Sequence, residues 1–296
     1  MRKIVKTPTV IVLLTLVAIC IALVVAACGS GKATSAQGTG GQAGSAGSGQ
    51  PGLAAGGATP SAPAKAAKTV WEGIKEAGLI TVGNSPDYEP FEFEDGKGNV
   101  MGFDIDLLGL ICDELGIKYQ LVNIAFENIE TAVQTGQVNI GMSCFSITPE
   151  RLQTFDFSIP YFSSGQAVAV NPDSGYAKLA DLEGKTITVG MGTSGMDAAE
   201  ENIPNANIIG MDNYTLAFMQ LKNKGADAAV ADLPVVKKFA AKDGFKVLDE
   251  ILSYEDNAIL IKKGNDDLTS ALNGAIQKLK DSGKIDALIE KWLIVD

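Results

Sequence analysis

From about residue 69 onward, short apolar runs of strand length alternate with longer runs of helical period, and this alternation restricts the fold more than any other feature of the chain. Strands separated by helices tend to pair in parallel, because the helix carries the chain back to the edge it left. Residues 79–82, 119–122 and 140–144 have the composition of buried strands. Segments 91–93 and 100–102 flank Asp95-Gly96-Lys97-Gly98-Asn99, a hairpin signal. From Asp104, the residues Ile105, Leu108, Ile111, Cys112 and Leu115 recur at helical spacing, and Gly116 closes the run. Segment 128–135 reads as a further helix. After residue 165 the pattern restarts, with strands at 168–170, 186–189, 208–210, 227–231, 246–252 and 258–261. Helices are expected at 194–202, after Asn213 and from Leu233, and two more end the chain. The expected class is α/β with largely parallel sheets.

The residues before this region cannot form a core. Arg2, Lys3 and Lys6 precede an apolar run from Val10 to Ala27, which ends in Val25-Ala26-Ala27-Cys28. A basic start, an apolar middle and small residues at the end describe a secretory signal over 1–27. The alternative is an uncleaved transmembrane helix, for which the run is just long enough. Either way the positive charges place the remainder outside the cytoplasm. The cysteine after the small residues resembles a bacterial lipobox, in which Cys28 carries a lipid and becomes the N-terminus. Segment 28–68 is rich in Gly, Ala and Ser, and is expected to act as a flexible tether with a reach of roughly 35 Å.

Charge and missing residue types exclude several functions. The chain has a formal charge of -11, and six of its 24 basic residues but none of its 35 acidic ones precede Thr69. So acidic a folded part is a poor nucleic-acid binder. The absence of histidine removes Ser-His-Asp and Cys-His catalysis and the common zinc sites, so neither cofactor nor metal is expected. Beyond Cys20 and Cys28 the only cysteines are Cys112 and Cys144, read as two buried thiols in preference to a disulfide.

Three segments carry candidate binding chemistry. In Ser146-Ile147-Thr148-Pro149-Glu150-Arg151, hydroxyls and one guanidinium follow an apolar strand. A guanidinium offers paired donors that fit a carboxylate, though an arginine in an ordinary surface turn is the plain alternative. Gly190-Met191-Gly192-Thr193-Ser194-Gly195 opens a helix, where backbone N–H groups favour an anion; the alternative is a simple strand-to-helix turn. No phosphate-loop lysine follows it. Asp232 ends the apolar run Ala228-Ala229-Val230-Ala231, at the strand end where open α/β sheets bind ligands; its alternative role is to cap the helix from Leu233.

Together with Phe155-Asp156-Phe157-Ser158-Ile159-Pro160-Tyr161, the Ser146-to-Arg151 spacing resembles the polar amino-acid-binding family of ABC-transporter solute-binding proteins, in its lipoprotein form (bacterial extracellular solute-binding proteins, family 3). Gly102-Phe103-Asp104-Ile105-Asp106 is a further marker, read as helix packing and capping without a ligand role. The resemblance covers essentially the whole folded part. It implies a two-lobed, periplasmic-binding-protein-like fold of type II, with two mostly parallel sheets flanked by helices and joined by two hinge crossings. Lobe one would hold 69–163 and 258–296, and lobe two 164–257.

In the site it implies, Arg151 and Ser146 take the carboxylate of a free L-amino acid, with Thr193 and Ser194 closing over it. Asp232 and the backbone carbonyl of Cys144 take the ammonium, and Tyr88 and Phe126 form walls. Cationic-amino-acid binders of the family tend to carry an acid at the position of Ser85, so serine implies a neutral polar ligand, although Glu89 is near enough in sequence to restore an anion. The implied protein is a monomer tethered to the membrane that serves an ABC permease and its ATPase. The alternatives are an enzyme on the same lobes, similar to cyclohexadienyl dehydratase with Glu89 as proton-transfer group, or a detached sensor domain.

Overall fold

Two mixed sheets divide the strands between them, in a computed structural model that describes residues 68–294. The signal segment and Cys28 lie outside the described residues, as does all of the tether except Lys68. The first sheet runs in the order Lys118–Asn123, Leu79–Asn84, Ile140–Gly141, Leu260–Lys262, Phe155–Phe157. Its first three strands are parallel, and Leu260–Lys262 runs antiparallel to both neighbours. The second sheet runs Asn207–Met211, Thr186–Gly190, Ala228–Asp232, Phe162–Val170, Lys246–Val247, again with three parallel strands first. A small antiparallel sheet, Asp87–Tyr88, Glu92–Glu94 and Val100–Met101, contains the expected hairpin.

The expected parallel pairing is therefore confined to the strands that alternate with helices. The antiparallel strands are where the chain passes between sheets. Phe155–Phe157 in the first sheet leads directly into Phe162–Val170 in the second, and Tyr254–Asn257 leads back into Leu260–Lys262. The two crossings pair with each other, from Asn257 opposite Phe162 to Tyr254 opposite Gly165. A return crossing must run opposite to the outward one, so these ladders are antiparallel. Sequence periodicity missed Phe155–Phe157, Tyr254–Asn257 and the first half of Phe162–Val170, which contains Ser163, Ser164 and Gln166. The expected strand 140–144 stops at Gly141, and Cys144 takes a left-handed φ of 52°. The expected strand 246–252 shortens to Lys246–Val247. A helix not anticipated, Val70–Ala77, starts on a capping box between Thr69 and Glu72.

Helices cover both faces of each sheet. Phe103–Leu115 buries Leu107, Leu108 and Ile111 against Asp266–Asp281 and Lys284–Trp292, whose Leu268, Leu272, Ile276 and Leu279 form the predicted stripe. On the opposite face, Phe126–Thr135 buries Ile129 and Val133 against Phe145, Phe155 and Leu260. On the second sheet, Tyr214–Lys222 and Leu233–Asp243 meet through Phe218 and Phe239, whose rings stack nearly parallel with centroids 3.9 Å apart. Gly102 opens the first of these helices at φ 134°, where an added Cβ would sit 2.2 Å from the Phe91 carbonyl oxygen. Only glycine fits there. Cys112 and Cys144 are both free thiols and buried.

Candidate functional site

The carboxyl ends of the parallel strands in both sheets face one pocket. All nine residues expected to hold a ligand line it: Ser85, Tyr88, Phe126, Cys144, Ser146 and Arg151 from the first-sheet side, and Thr193, Ser194 and Asp232 from the second. Concave sites with a few converging polar groups suit small ligands.

Arg151 begins the four-residue helix Arg151–Thr154, and its backbone N–H donates to Thr148 Oγ1 at 3.2 Å. It is the only arginine after Arg2. Far from sitting in a surface turn, it is 8% exposed. Nε donates to Glu130 at 2.8 Å, Nη1 to the Ser146 carbonyl at 3.1 Å, and Nη2 to the Gly192 carbonyl at 3.1 Å. The rings of Phe145 and Phe126 lie 5.2 and 5.7 Å from its Cζ, within cation–π range. Phe126 also stacks on Phe145, so its pocket and core roles coexist.

Asp232 ends its strand and occupies the position before Leu233–Asp243, yet its side chain makes no capping bond to that helix. It turns into the cleft instead. Tyr88 Oη donates to Asp232 Oδ2 at 2.6 Å and accepts the Asp232 backbone N–H at 2.9 Å, while Oδ1 has no hydrogen-bond partner among the described residues. Burial, opposed by the Tyr88 hydrogen bond, raises the Asp232 carboxyl to about 6. Ser194 Oγ donates to Ser146 Oγ at 3.0 Å across the cleft. Thr193 Oγ1 donates to the Gly190 carbonyl at 2.8 Å and accepts from Tyr214 Oη at 3.3 Å. A Cβ at Gly190 would lie 2.6 Å from the Tyr214 ring, so this strand end must be glycine for the ring to cover it. The Cys144 carbonyl accepts from Asn257 Nδ2 at 3.1 Å, and the thiol is pushed well up by burial.

Four carboxyls in or behind the pocket wall were not among the expected site residues: Asp87, Glu92 and Asp212, which line it, and Asp104 behind it. Asp87 accepts the backbone N–H of Tyr214, which opens the helix Tyr214–Lys222 across the cleft, at 2.7 Å, and the Ser85 hydroxyl at 2.8 Å. Burial raises it. Glu92 is fully buried and accepts from Ser143 Oγ at 2.7 Å. Asp104, expected to cap its helix, makes no cap bond. Its Oδ2 instead accepts the Cys144 N–H at 2.8 Å and the Tyr161 hydroxyl at 2.9 Å, so it braces the pocket wall. Asp104 lies in the first turn of its helix and is buried. Burial pushes Glu92 well up and Asp104 up to about 7. The sequence signal for Glu92 was an acid inside the apolar run Phe91-Glu92-Phe93. Glu89 is not among the pocket residues and pairs with Lys238 at 3.3 Å. Among the described residues, no group of His, Cys, Asp and Glu has a metal-binding arrangement.

Residues 80–295 match the family described as bacterial extracellular solute-binding proteins, family 3. The L-cystine-binding protein TcyJ of Escherichia coli is 30% identical over 229 residues, 75% of this chain and 85% of that protein. An amino acid ABC transporter substrate-binding protein from Streptococcus pneumoniae, solved bound to L-arginine, superposes with a TM-score of 0.71 at 36% identity, covering 76% of this chain and 97% of its own. The ancestral amino acid-binding protein AncCDT-1, described as a precursor of cyclohexadienyl dehydratase, gives 0.71 at 36% identity, covering 75% and 99%. These relatives are binding proteins, and they share the type II, two-lobed fold built from mixed sheets. The chain belongs to the bacterial extracellular solute-binding proteins of family 3 and is a binding protein, not an enzyme.

Proposed function

We propose that this chain is the substrate-binding component of an ABC importer and holds a free L-amino acid as a zwitterion between its two lobes, 69–163 with 258–296 and 164–257. The observation that carries this reading is the placement, in the same pocket, of one buried guanidinium, Arg151, and a buried carboxyl at a strand end, Asp232, with one oxygen unpartnered among the described residues. Removing an ammonium and a carboxylate from water is costly unless each meets an opposite charge and hydrogen bonds. Arg151 and Ser146 take the carboxylate, with Thr193 and Ser194 arriving from the other lobe. Asp232 and the Cys144 carbonyl take the ammonium, with Tyr88 and Phe126 as walls. Ligand contacts made to both lobes favour the closed form, because they are lost when the lobes part.

For the ligand side chain, Ser85 favours a neutral polar group. A second reading has its own observation: the Asp87 carboxylate lines the pocket two residues on, which suits a cationic side chain, as does the likeness to a protein solved with L-arginine. The chain acts as a monomer, tethered outside the cytoplasm by a lipid on Cys28 after cleavage of 1–27, and passes its ligand to a permease powered by a separate ATPase. Calorimetry with the twenty L-amino acids tests the ligand class. Binding of at least one is expected, and binding of none sinks the reading. Release of Cys28→Ala protein from the membrane tests the anchor.

A further inference from the structure

The Arg151 guanidinium has five N–H donors. Nε is spent on Glu130, and one N–H on each terminal nitrogen goes to the carbonyls of Ser146 and Gly192. One N–H on each terminal nitrogen remains, a matched pair for two carboxylate oxygens. Which pair is left depends on what holds Nε. Glu130 lies on the helix Phe126–Thr135, four residues after Phe126 and therefore on the same face. That face presents an aromatic ring and a carboxylate to one guanidinium. Among the described residues, Arg151 is the cation within salt-bridge distance of Glu130. A buried guanidinium with no resident counter-charge is costly, and a free one has several rotamers. Glu130 is 36% exposed at its side chain, so it supplies the charge from the solvent side without entering the pocket lining.

We infer that Glu130 is a positioning residue for ligand binding: it anchors Arg151 through Nε and leaves the outer pair of N–H groups aimed at the α-carboxylate of the bound amino acid. This rests on the zwitterion reading for its ligand but not for the anchor itself. A plain surface salt bridge would have little effect on either.

Because Arg2 is the only other arginine, the full chain carrying Arg2→Lys shows Arg151 as a single arginine Nε resonance when labelled with ¹⁵N. Glu130→Ala is expected to speed hydrogen exchange at that Nε about tenfold or more, and Glu130→Gln, which keeps an oxygen acceptor, by less. Unchanged exchange in Glu130→Ala overturns the anchor. Calorimetry then compares L-arginine and L-glutamine with their α-carboxamides. Glu130→Ala should weaken the amino acid by about tenfold while leaving the amide within about twofold, and Glu130→Gln should restore part of the loss. Equal losses for acid and amide would reduce Glu130 to a structural tie and overturn the positioning role. If the wild-type chain binds neither amino acid, it is the choice of ligand that fails, and the exchange rates alone decide the anchor.

Discussion

The two walls of the cleft solve the same problem by different means. On the first-sheet side the charged groups are held by many side chains: Arg151 by Glu130 and flanking aromatic rings, Asp104 by Tyr161, Glu92 by Ser143. On the second-sheet side the polar groups sit at the ends of a strand and a helix, and their partners are backbone or lie across the cleft. Thr193 bonds the Gly190 carbonyl, Ser194 reaches Ser146, and Asp232 depends on Tyr88. The first wall is held mostly within itself, with the Arg151 bond to the Gly192 carbonyl and the Asp87 bond to the Tyr214 N–H reaching across the cleft, whereas the second relies on contact with the first for Ser194 and Asp232. A ligand would therefore meet a largely formed half-site first, and closure would supply the remainder.

Removing Arg151 breaks the preorganised wall and should have the largest effect. Arg151→Ala leaves the α-carboxylate and Glu130 without their cation, and about 3–5 kcal/mol of binding free energy should be lost by calorimetry. An affinity within error of wild type would end the proposed carboxylate site. Asp232→Asn comes next, at about 2 kcal/mol, because an amide replaces the charge opposite the ammonium. Its signature on the closing wall is that scattering from the ligand-saturated variant should remain closer to the open dimensions than wild type does.

Acidity probes the same carboxylate without mutation. Asp232 titrates at about 6, so below that pH a ligand ammonium must displace a proton, and affinity should fall by up to about tenfold per pH unit. Stability has its own sign. Asp104 and Asp232 hold protons in the folded state at pH values where the unfolded chain, near 3.8, has released them. Their contribution is complete below about pH 4 and is lost as pH rises through about 6 and 7. Urea unfolding without ligand should therefore show greater stability at pH 5 than at pH 8, and the reverse order would contradict burial of these carboxyls. Ser194→Ala, which deletes one hydroxyl bridge between the walls, should cost about 1 kcal/mol and appear mainly in the dissociation rate.

Much of the fold was legible where structure is local. The helix Ser194–Asn202 follows its sequence signals, Asn213 caps Tyr214–Lys222 through the Leu216 N–H, and Gly116 closes Phe103–Leu115 in a left-handed conformation. The crossing strands were hidden because polar Ser163, Ser164 and Gln166 follow no two-residue alternation, and the burial of Ser164 and Gln166 comes from the strands they join. In the site, the nine expected residues do share one pocket, since most lie at or just beyond a strand end or at a helix start, positions that sequence reveals. Asp87, Glu92 and Asp104 escaped because an acid beside an apolar run reads as exposed until another element covers it. The motif that contains Asp104 was read as packing and capping, and its inward role rests on the Cys144 N–H and the Tyr161 hydroxyl, partners far away in sequence.

By itself the sequence determined the kinds of chemistry available: one guanidinium in an acidic, histidine-free folded part, strands alternating with helices, and hydroxyls and a carboxylate at their ends. Periodicity and residue type are local properties and survive without coordinates. The partnerships were decided only by tertiary structure. Tyr88 meets Asp232 across 144 positions, Glu130 meets Arg151 from a different helix, and Glu92 and Asp104 gain raised proton affinities because both are enclosed behind the same wall. Burial and electrostatic coupling depend on what surrounds a group in space, and that surrounding exists only once the chain has folded.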